Sequence, residues 1–297
     1  MMLARALVAA IALTMSLTAQ PPREGKVARD GFDLHYRVYG SETPVVILSG
    51  GPGFDCDYME PVARELAKDH QSVLVELRGT GRSLPPKINP ETINVKLTLE
   101  DLEAIRAQLR FDRWTLLGHS AGAVIAMAYA GRYPDRVASM ILANSGPIRR
   151  ASAGAEMDNI LMRLTPQERD ALAKAPQEDF GQALKILLPG YLYDRAKAAA
   201  ASSQLTPDKF HQQTSALLSA DIMGPGADLR PALVNFSNPV LIIAGRQDPL
   251  DPAVQYEIHL ALKKSTLRLL DRCGHFSWLE QPEEFYRYLR EFLTSAQ

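Results

Sequence analysis

Three residues far apart in this 297-residue chain have the types needed to activate a nucleophile. Ser120 lies in "LLGHSAGAV", between Gly118 and Gly122, after an apolar run and before a run of small residues. A serine hydroxyl becomes nucleophilic when a base takes its proton, and the base needs an acid to orient it. His275 follows the apolar run "LRLLDRCG", and Asp248 follows "VLIIAGRQ". The order serine, aspartate, histidine is one in which such a triad occurs when the serine sits on a strand-to-helix turn. Asp251, three residues beyond Asp248, is the competing acid, but it precedes a helix start, where a carboxylate is commonplace. Asp248 is preferred. His119 lies inside the turn, points away from the serine and is read as structural.

The chemistry also needs donors for a developing oxyanion. The amide of Ala121, at the start of a helix, is one. The second is expected in the loop after the third strand, where "SGGPG" lets backbone approach a substrate oxygen closely. Gly51 is the candidate there.

Such a site needs elements that converge. "KVARDGFDLHYRVYG" reads as a hairpin about Asp30-Gly31, and "PVVILSG" as a buried strand entering a glycine-rich loop. A helix is expected over 58–69, then the strand "SVLVEL", then the helix "TLEDLEAIRAQLRF" with Thr98 as its cap. "RWTLLGHS", "AGAVIAMAYAGRYP" and "VASMILANSG" continue the alternation of strand and helix. Continuous apolar strands of this kind predict a mainly parallel sheet covered on both faces. From Pro147 to Asn238 the alternation stops and helical pieces replace it, two opening with Thr-Pro at Thr165-Pro166 and Thr206-Pro207. "PVLIIAGRQD", "STLRLLDRCGH" and an amphipathic helix over 283–292 resume the pattern. The expected organisation is a core of residues 20–146 and 239–297 interrupted by a helical cap, 147–238. Both cap ends leave the sheet edge where strand C-termini gather ligands, so the cap is expected to roof the site.

Composition narrows the function. A formal net charge of -1 gives no electrostatic case for nucleic acid. The six histidines show no metal-ligand spacing, so no metal is expected. Residues 1–19, with Arg5, an apolar stretch and then small residues, read as a secretory signal, so export to the periplasm or medium is expected. No later stretch is long and apolar enough to span a bilayer. Export would bring Cys56 and Cys273 into an oxidising compartment, which leaves a disulfide between them open.

"SGGPG", "ELRGTGRS", "GHSAG", "GRQD" and "GHFSWLEQPEEF" stand in the order found in the α/β-hydrolase superfamily, which the chain resembles over nearly all its mature length. The resemblance implies an eight-stranded, mostly parallel sheet flanked by helices, with a helical cap. Within the superfamily the chain looks most like the proline iminopeptidase group of serine peptidases, which implies no cofactor and release of an N-terminal residue from peptides. It departs from that group's pattern at Ser49 (usually histidine), at Glu76-Leu77 (usually Asp-Gln) and at Ala121 (usually tryptophan). Epoxide hydrolases and haloalkane dehalogenases share the fold, but the resemblance implies aspartate where this chain has Ser120.

Three readings remain: an aminopeptidase on small peptides or amides, a carboxylesterase or lactonase with the same triad, and a hydrolase-fold binding protein without activity. An aminopeptidase needs a carboxylate for the substrate's ammonium. Glu156, Asp158, Glu168, Asp170, Glu178, Asp179, Asp194, Asp208 and Asp221 are the candidates in the cap.

Overall fold

Asp30 and Gly31 both adopt left-handed backbone (φ 40° and 86°), the geometry of a two-residue hairpin turn. The computed structural model containing this turn describes residues 21–152, 154, 156–176 and 180–296. The expected signal, residues 1–19, and Glu178 and Asp179 lie outside the described residues.

Eight strands form one sheet: β1 (Arg23–Arg29), β2 (Phe32–Tyr39), β3 (Pro44–Leu48), β4 (Gln71–Val75), β5 (Trp114–His119), β6 (Val137–Ala143), β7 (Val240–Gly245) and β8 (Ser265–Leu270). Their order is β1-β2-β4-β3-β5-β6-β7-β8. β2 pairs antiparallel with β1 and β4, and every other pairing is parallel. Neighbouring residues alternate faces: Leu116 joins one core cluster with Trp114, Tyr129 and Ile258, whereas Leu117 joins the other with Ile47, Val62 and Phe285. Both faces are therefore covered, which is why β5 and β7 are buried throughout and read as unbroken apolar runs. Burying each such Leu or Ile contributes about 1.5–3 kcal/mol.

The covering helices include α1 (Glu60–Leu66), α2 (Val95–Gln108) and α3 (Ala121–Arg132). Between β6 and β7 the described residues form helices and no strand: α4 (Glu156–Arg163), α5 (Pro166–Lys174), α6 (Phe180–Tyr191), α7 (Ala198–Gln204), α8 (Gln212–Ile222) and α9 (Arg230–Leu233), with short turns between. After β7 come α10 (Pro252–Ala261), α11 (Ser277–Glu280) and α12 (Pro282–Ser295).

Two local expectations need correction. Thr98 does not cap α2. The helix starts a turn earlier, where Asn94 accepts from the Leu97 amide at 2.9 Å and Thr98 donates back to the Asn94 carbonyl at 2.9 Å. Asparagine is the stronger cap, so the helix extends back to it. Thr206-Pro207 opens only a single turn, Pro207–Lys209, without a side-chain cap. Thr165 does cap α5, in a reciprocal box with Glu168.

The disulfide left open by the sequence is not formed. Cys56 and Cys273 are both free and buried. Arg37 Nη2 donates to Cys56 Sγ at 3.2 Å, and Cys273 Sγ donates to Ser277 Oγ at 3.4 Å. Burial pushes both thiols up to about 12, away from the thiolate that reacts. The folded protein is therefore expected to resist thiol reagents at neutral pH, and the protein unfolded without reductant to titrate two thiols. A single titration of each state checks this; no thiols in the unfolded protein would mean that a bridge forms.

Candidate active site

The turn at Ser120 is built by close backbone approach. A Cβ on Gly122 would meet the Leu48 carbonyl oxygen at 2.3 Å, and one on Gly118 would meet the Gly122 oxygen at 2.4 Å. Only glycine fits at either position. With β5 arriving and α3 leaving so tightly, Ser120 takes φ 54° and ψ −121°, a conformation L-residues rarely adopt. The Ser120 amide donates to the Ala143 carbonyl at 3.1 Å, and the Ser120 carbonyl accepts from Gly146 at 3.1 Å, so β6 fixes the strained residue from the side.

Ser120 faces a cavity of about 200 Å³. Gly51 and Ala121 line the same cavity, at the end of β3 and the start of α3. Ala121 is the first residue of its helix, where backbone N–H groups lack intrahelical acceptors and carry partial positive charge. Gly51 holds φ 118°, a conformation that favours glycine. Val124, Ile222, Met223, Leu250 and Val254 give the cavity an apolar side, and Ser219 and Glu156 add polar groups to the wall.

Asp248 and His275 emerge from neighbouring strand ends, β7 and β8. The imidazole Nδ1 lies 3.1 Å and 3.0 Å from the two carboxylate oxygens of Asp248. Both side chains are almost wholly buried. Asp248 also accepts from the Leu250 amide at 3.0 Å and from Asn144 Nδ2 at 2.7 Å. Burial alone would raise the Asp248 pKa, but His275 and these donors hold it below the usual carboxylate range. For His275, burial would lower the pKa, and the Asp248 charge and hydrogen bond outweigh it and leave the imidazole raised. Asp251 is used otherwise: its carboxylate accepts from the Ala253 amide at 2.8 Å and caps α10. His119 is buried, bonded to the Tyr58 hydroxyl at 2.9 Å and to the His275 carbonyl at 3.0 Å.

Sequence reasoning missed several of these partners. Asn144 directly follows β6, holds Asp248 and the Gly274 carbonyl, and accepts from Ser277 Oγ at 2.7 Å. Glu280 accepts from the amides of Gly274, Tyr193 and Asp194 at 2.6, 2.8 and 2.9 Å, tying the His275 loop to the end of α6. The Asn-Ser-Gly that follows β6 was the only sequence signal for Asn144; Glu280 had none.

Among the described carboxylates of the segment between β6 and β7, Glu156 lines the cavity that Ser120 faces. It accepts from the Tyr191 hydroxyl at 3.1 Å, and burial raises its pKa despite that bond and the nearby His275. Asp158, Asp170 and Asp208 are solvent-exposed. Glu168 and Asp194 cap local turns, and Asp221 accepts from the Val95 amide at 2.7 Å. The described residues contain no group of histidine, cysteine and acidic side chains able to hold a metal.

Residues 43–282 match the model of the alpha/beta hydrolase fold family. The chain is 27% identical over 292 residues to a proline iminopeptidase of Lactobacillus helveticus, covering 91% of this chain and 97% of that protein. It superposes on the crystal structure of VinJ with a TM-score of 0.76 at 22% identity, over 94% and 100% of the two chains. It superposes on Est816, described as an N-acyl homoserine lactone degrading enzyme, with a TM-score of 0.70 at 25% identity, over 90% and 100%. The strained serine between two close-packed glycines, the eight-stranded sheet and this match over most of its length have one meaning: the chain belongs to the alpha/beta hydrolase family and is a hydrolase.

Proposed function

We propose that the protein is a serine hydrolase with Ser120 as nucleophile, His275 as general base and acid, Asp248 as orienting acid, and the Gly51 and Ala121 amides as oxyanion donors. The observation that carries the reading is the strained Ser120 turn facing a cavity shared with Gly51, Ala121 and Glu156, together with a buried His275–Asp248 pair whose imidazole lies 4.7 Å, centroid to centroid, from the ring of His119, the residue before Ser120. His275 takes the Ser120 proton as Oγ attacks the carbonyl carbon, and the negative charge moves to the carbonyl oxygen. His275 then returns the proton to the leaving group, and an acyl-enzyme remains for water to cleave by the same steps.

The substrate is proposed to be a small peptide or amide with a free N-terminus, and the reaction that of an aminopeptidase. Glu156 supports this. A carboxylate lining this cavity, with the Tyr191 hydroxyl as its side-chain hydrogen-bond partner among the described residues, is well placed to hold the ammonium of an N-terminal residue. The segment over 147–238 would act as the cap that excludes water and limits substrate size. An ester or lactone substrate is the second reading, favoured by the small Ala121 beside the nucleophile and the apolar wall. Export directed by residues 1–19 belongs to the same proposal; among the described residues no helix is long and apolar enough to cross a membrane.

Three outcomes are expected. Ser120→Ala lowers kcat/KM by at least about 10⁴-fold and abolishes labelling by a fluorophosphonate probe. Full labelling of that variant would remove Ser120 from the site.

Activity rises with pH as His275 loses its proton, because the base must be neutral. The raised pKa places this limb above the ordinary histidine value of about 6.5. Asp248→Asn removes the charge that raises it, so the limb moves to lower pH and the plateau falls on the order of 10⁴-fold. A pH–rate profile of both proteins reads this, and a larger loss in Asp251→Asn would reassign the acid.

Glu156→Gln lowers cleavage of amino-acyl anilides about tenfold or more relative to uncharged esters, as loss of a charge-assisted contact requires. An unchanged anilide-to-ester ratio would favour the esterase reading.

A further inference from the structure

Tyr58 and His119 join three loops of the site through hydrogen bonds whose proton positions follow from the partners. The His275 carbonyl oxygen can only accept, so His119 Nε2, 3.0 Å away, carries the hydrogen. Burial drives the His119 pKa down to about 3, and repulsion from His275 adds to this against the pull of Asp248, so the ring is neutral. Its Nδ1 therefore accepts from the Tyr58 hydroxyl at 2.9 Å. The Tyr58 oxygen in turn accepts from the Gly50 amide at 2.5 Å. Donation runs in one direction, from Gly50 through Tyr58 and His119 to His275.

The ends of this chain matter. Gly50 precedes the oxyanion candidate Gly51, and a Cβ on Gly50 would meet both the His119 carbonyl oxygen and Ser120 Cβ at 2.7 Å. The loop thus rests on the nucleophile's turn with no slack. The His119 ring is wedged 4.7 Å from the His275 ring and 4.7 Å from the Trp278 ring, centroid to centroid.

We propose that Tyr58 and His119 are positioning residues, an uncharged strut that holds the Gly50–Gly51 loop, the Ser120 turn and the backbone of His275 at fixed spacing during turnover. The proposal rests on the reading of Ser120 and His275 given above. Neutrality is what the place demands: His275 becomes an imidazolium when it takes the serine proton, and a second cation beside it would oppose that step. A cut strut leaves the Gly50 amide or the His275 carbonyl without its partner, and the oxyanion donor drifts from the reacting oxygen.

The kinetic arm uses Tyr58→Phe, His119→Phe and the double variant of the full-length mature protein. Each single variant is expected to lower kcat at least about tenfold with KM changed less than about threefold. The double variant should fall within about threefold of the poorer single, since both changes break one strut. His119→Gln keeps a donor toward the His275 carbonyl and should recover part of the loss. Losses that multiply in the double variant, or a lowered melting temperature with kcat unchanged, overturn the proposal. The spectroscopic arm uses protein with ¹⁵N-labelled histidine. His119 is expected as the Nε2–H tautomer, unchanged between about pH 5 and 9. A His119 that titrates in that range, or carries its hydrogen on Nδ1, also overturns the proposal. Because the spectrum needs no turnover, full activity in Ser120→Ala would defeat the reading of the triad while the spectrum still decides the strut.

Discussion

The contact between the start of α3 and the end of β3 sets the rest of the site. No side chain fits at Gly122, whose Cβ would lie 2.3 Å from the Leu48 oxygen and 2.6 Å from the Ser49 oxygen. Helix backbone therefore lies on strand backbone, and the chain must reverse within one residue. That residue is Ser120, whose conformation costs on the order of 1–3 kcal/mol and persists only where its surroundings over-determine it. The surroundings here are β5 and the first turns of α3, whose Leu116, Leu117, Ala123 and Ile125 are buried in the two cores. The same contact puts the Ala121 amide at a helix N-terminus and lays the Gly50–Gly51 loop against the serine. The Ala121 amide, the Gly51 backbone and the Ser120 hydroxyl are thus brought to one cavity by one packing event.

The charged half of the site obeys a different constraint. A buried carboxylate is stable only when its lone pairs are met, and Asp248 is met by His275, Asn144 and the Leu250 amide. Asn144 also fixes the Gly274 carbonyl, and Glu280 fixes the Gly274 amide. The loop carrying His275 is therefore held at both peptide units that flank Gly274. Its amide reaches farther: the His275 N–H donates to the Tyr191 carbonyl at 2.8 Å, at the end of α6. The histidine loop and the helices between β6 and β7 form one bonded unit, so a displacement of α6 is felt at the imidazole.

What the sequence made legible was local. The "GHSAG" turn, the Asp30-Gly31 hairpin and the Thr165 capping box each lie within a few residues and depend on nearby geometry. The alternation of apolar strands with helices gave a mainly parallel sheet covered on both faces, and the family resemblance implied its eight strands. What it hid were contacts between residues far apart in the chain: Asn144 with Asp248, Tyr58 with His119, and Glu280 with Tyr193. No spacing rule connects such pairs, because the fold alone decides which strand ends become neighbours. Thr98 misled for a related reason. Capping strength ranks asparagine above threonine, and the earlier start is also held from α8, where Asp221 accepts from the Val95 amide at 2.7 Å, a long-range contact that no local pattern shows. The free thiols belong here too, since two cysteines in one core cluster need matched Cβ vectors as well as proximity.

Substrate choice, on the proposed reading, comes down to what completes the environment of Glu156. Its carboxyl is displaced toward the neutral form by burial, and among the described residues the Tyr191 hydroxyl is the side chain that donates to it. An ammonium entering the cavity would restore the charged form and donate to it at once, a charge-assisted contact stronger than a neutral one. An uncharged ester would leave the carboxyl as it is and gain only from the apolar wall of Val124, Ile222, Leu250 and Val254. Because that gain scales with area while the ammonium contact depends on one residue, the two substrate classes draw on separable parts of the same cavity. Tyr191 bears on both: its hydroxyl holds Glu156 and its carbonyl holds the His275 amide, so the group that would recognise the substrate and the group that would move the proton share one support.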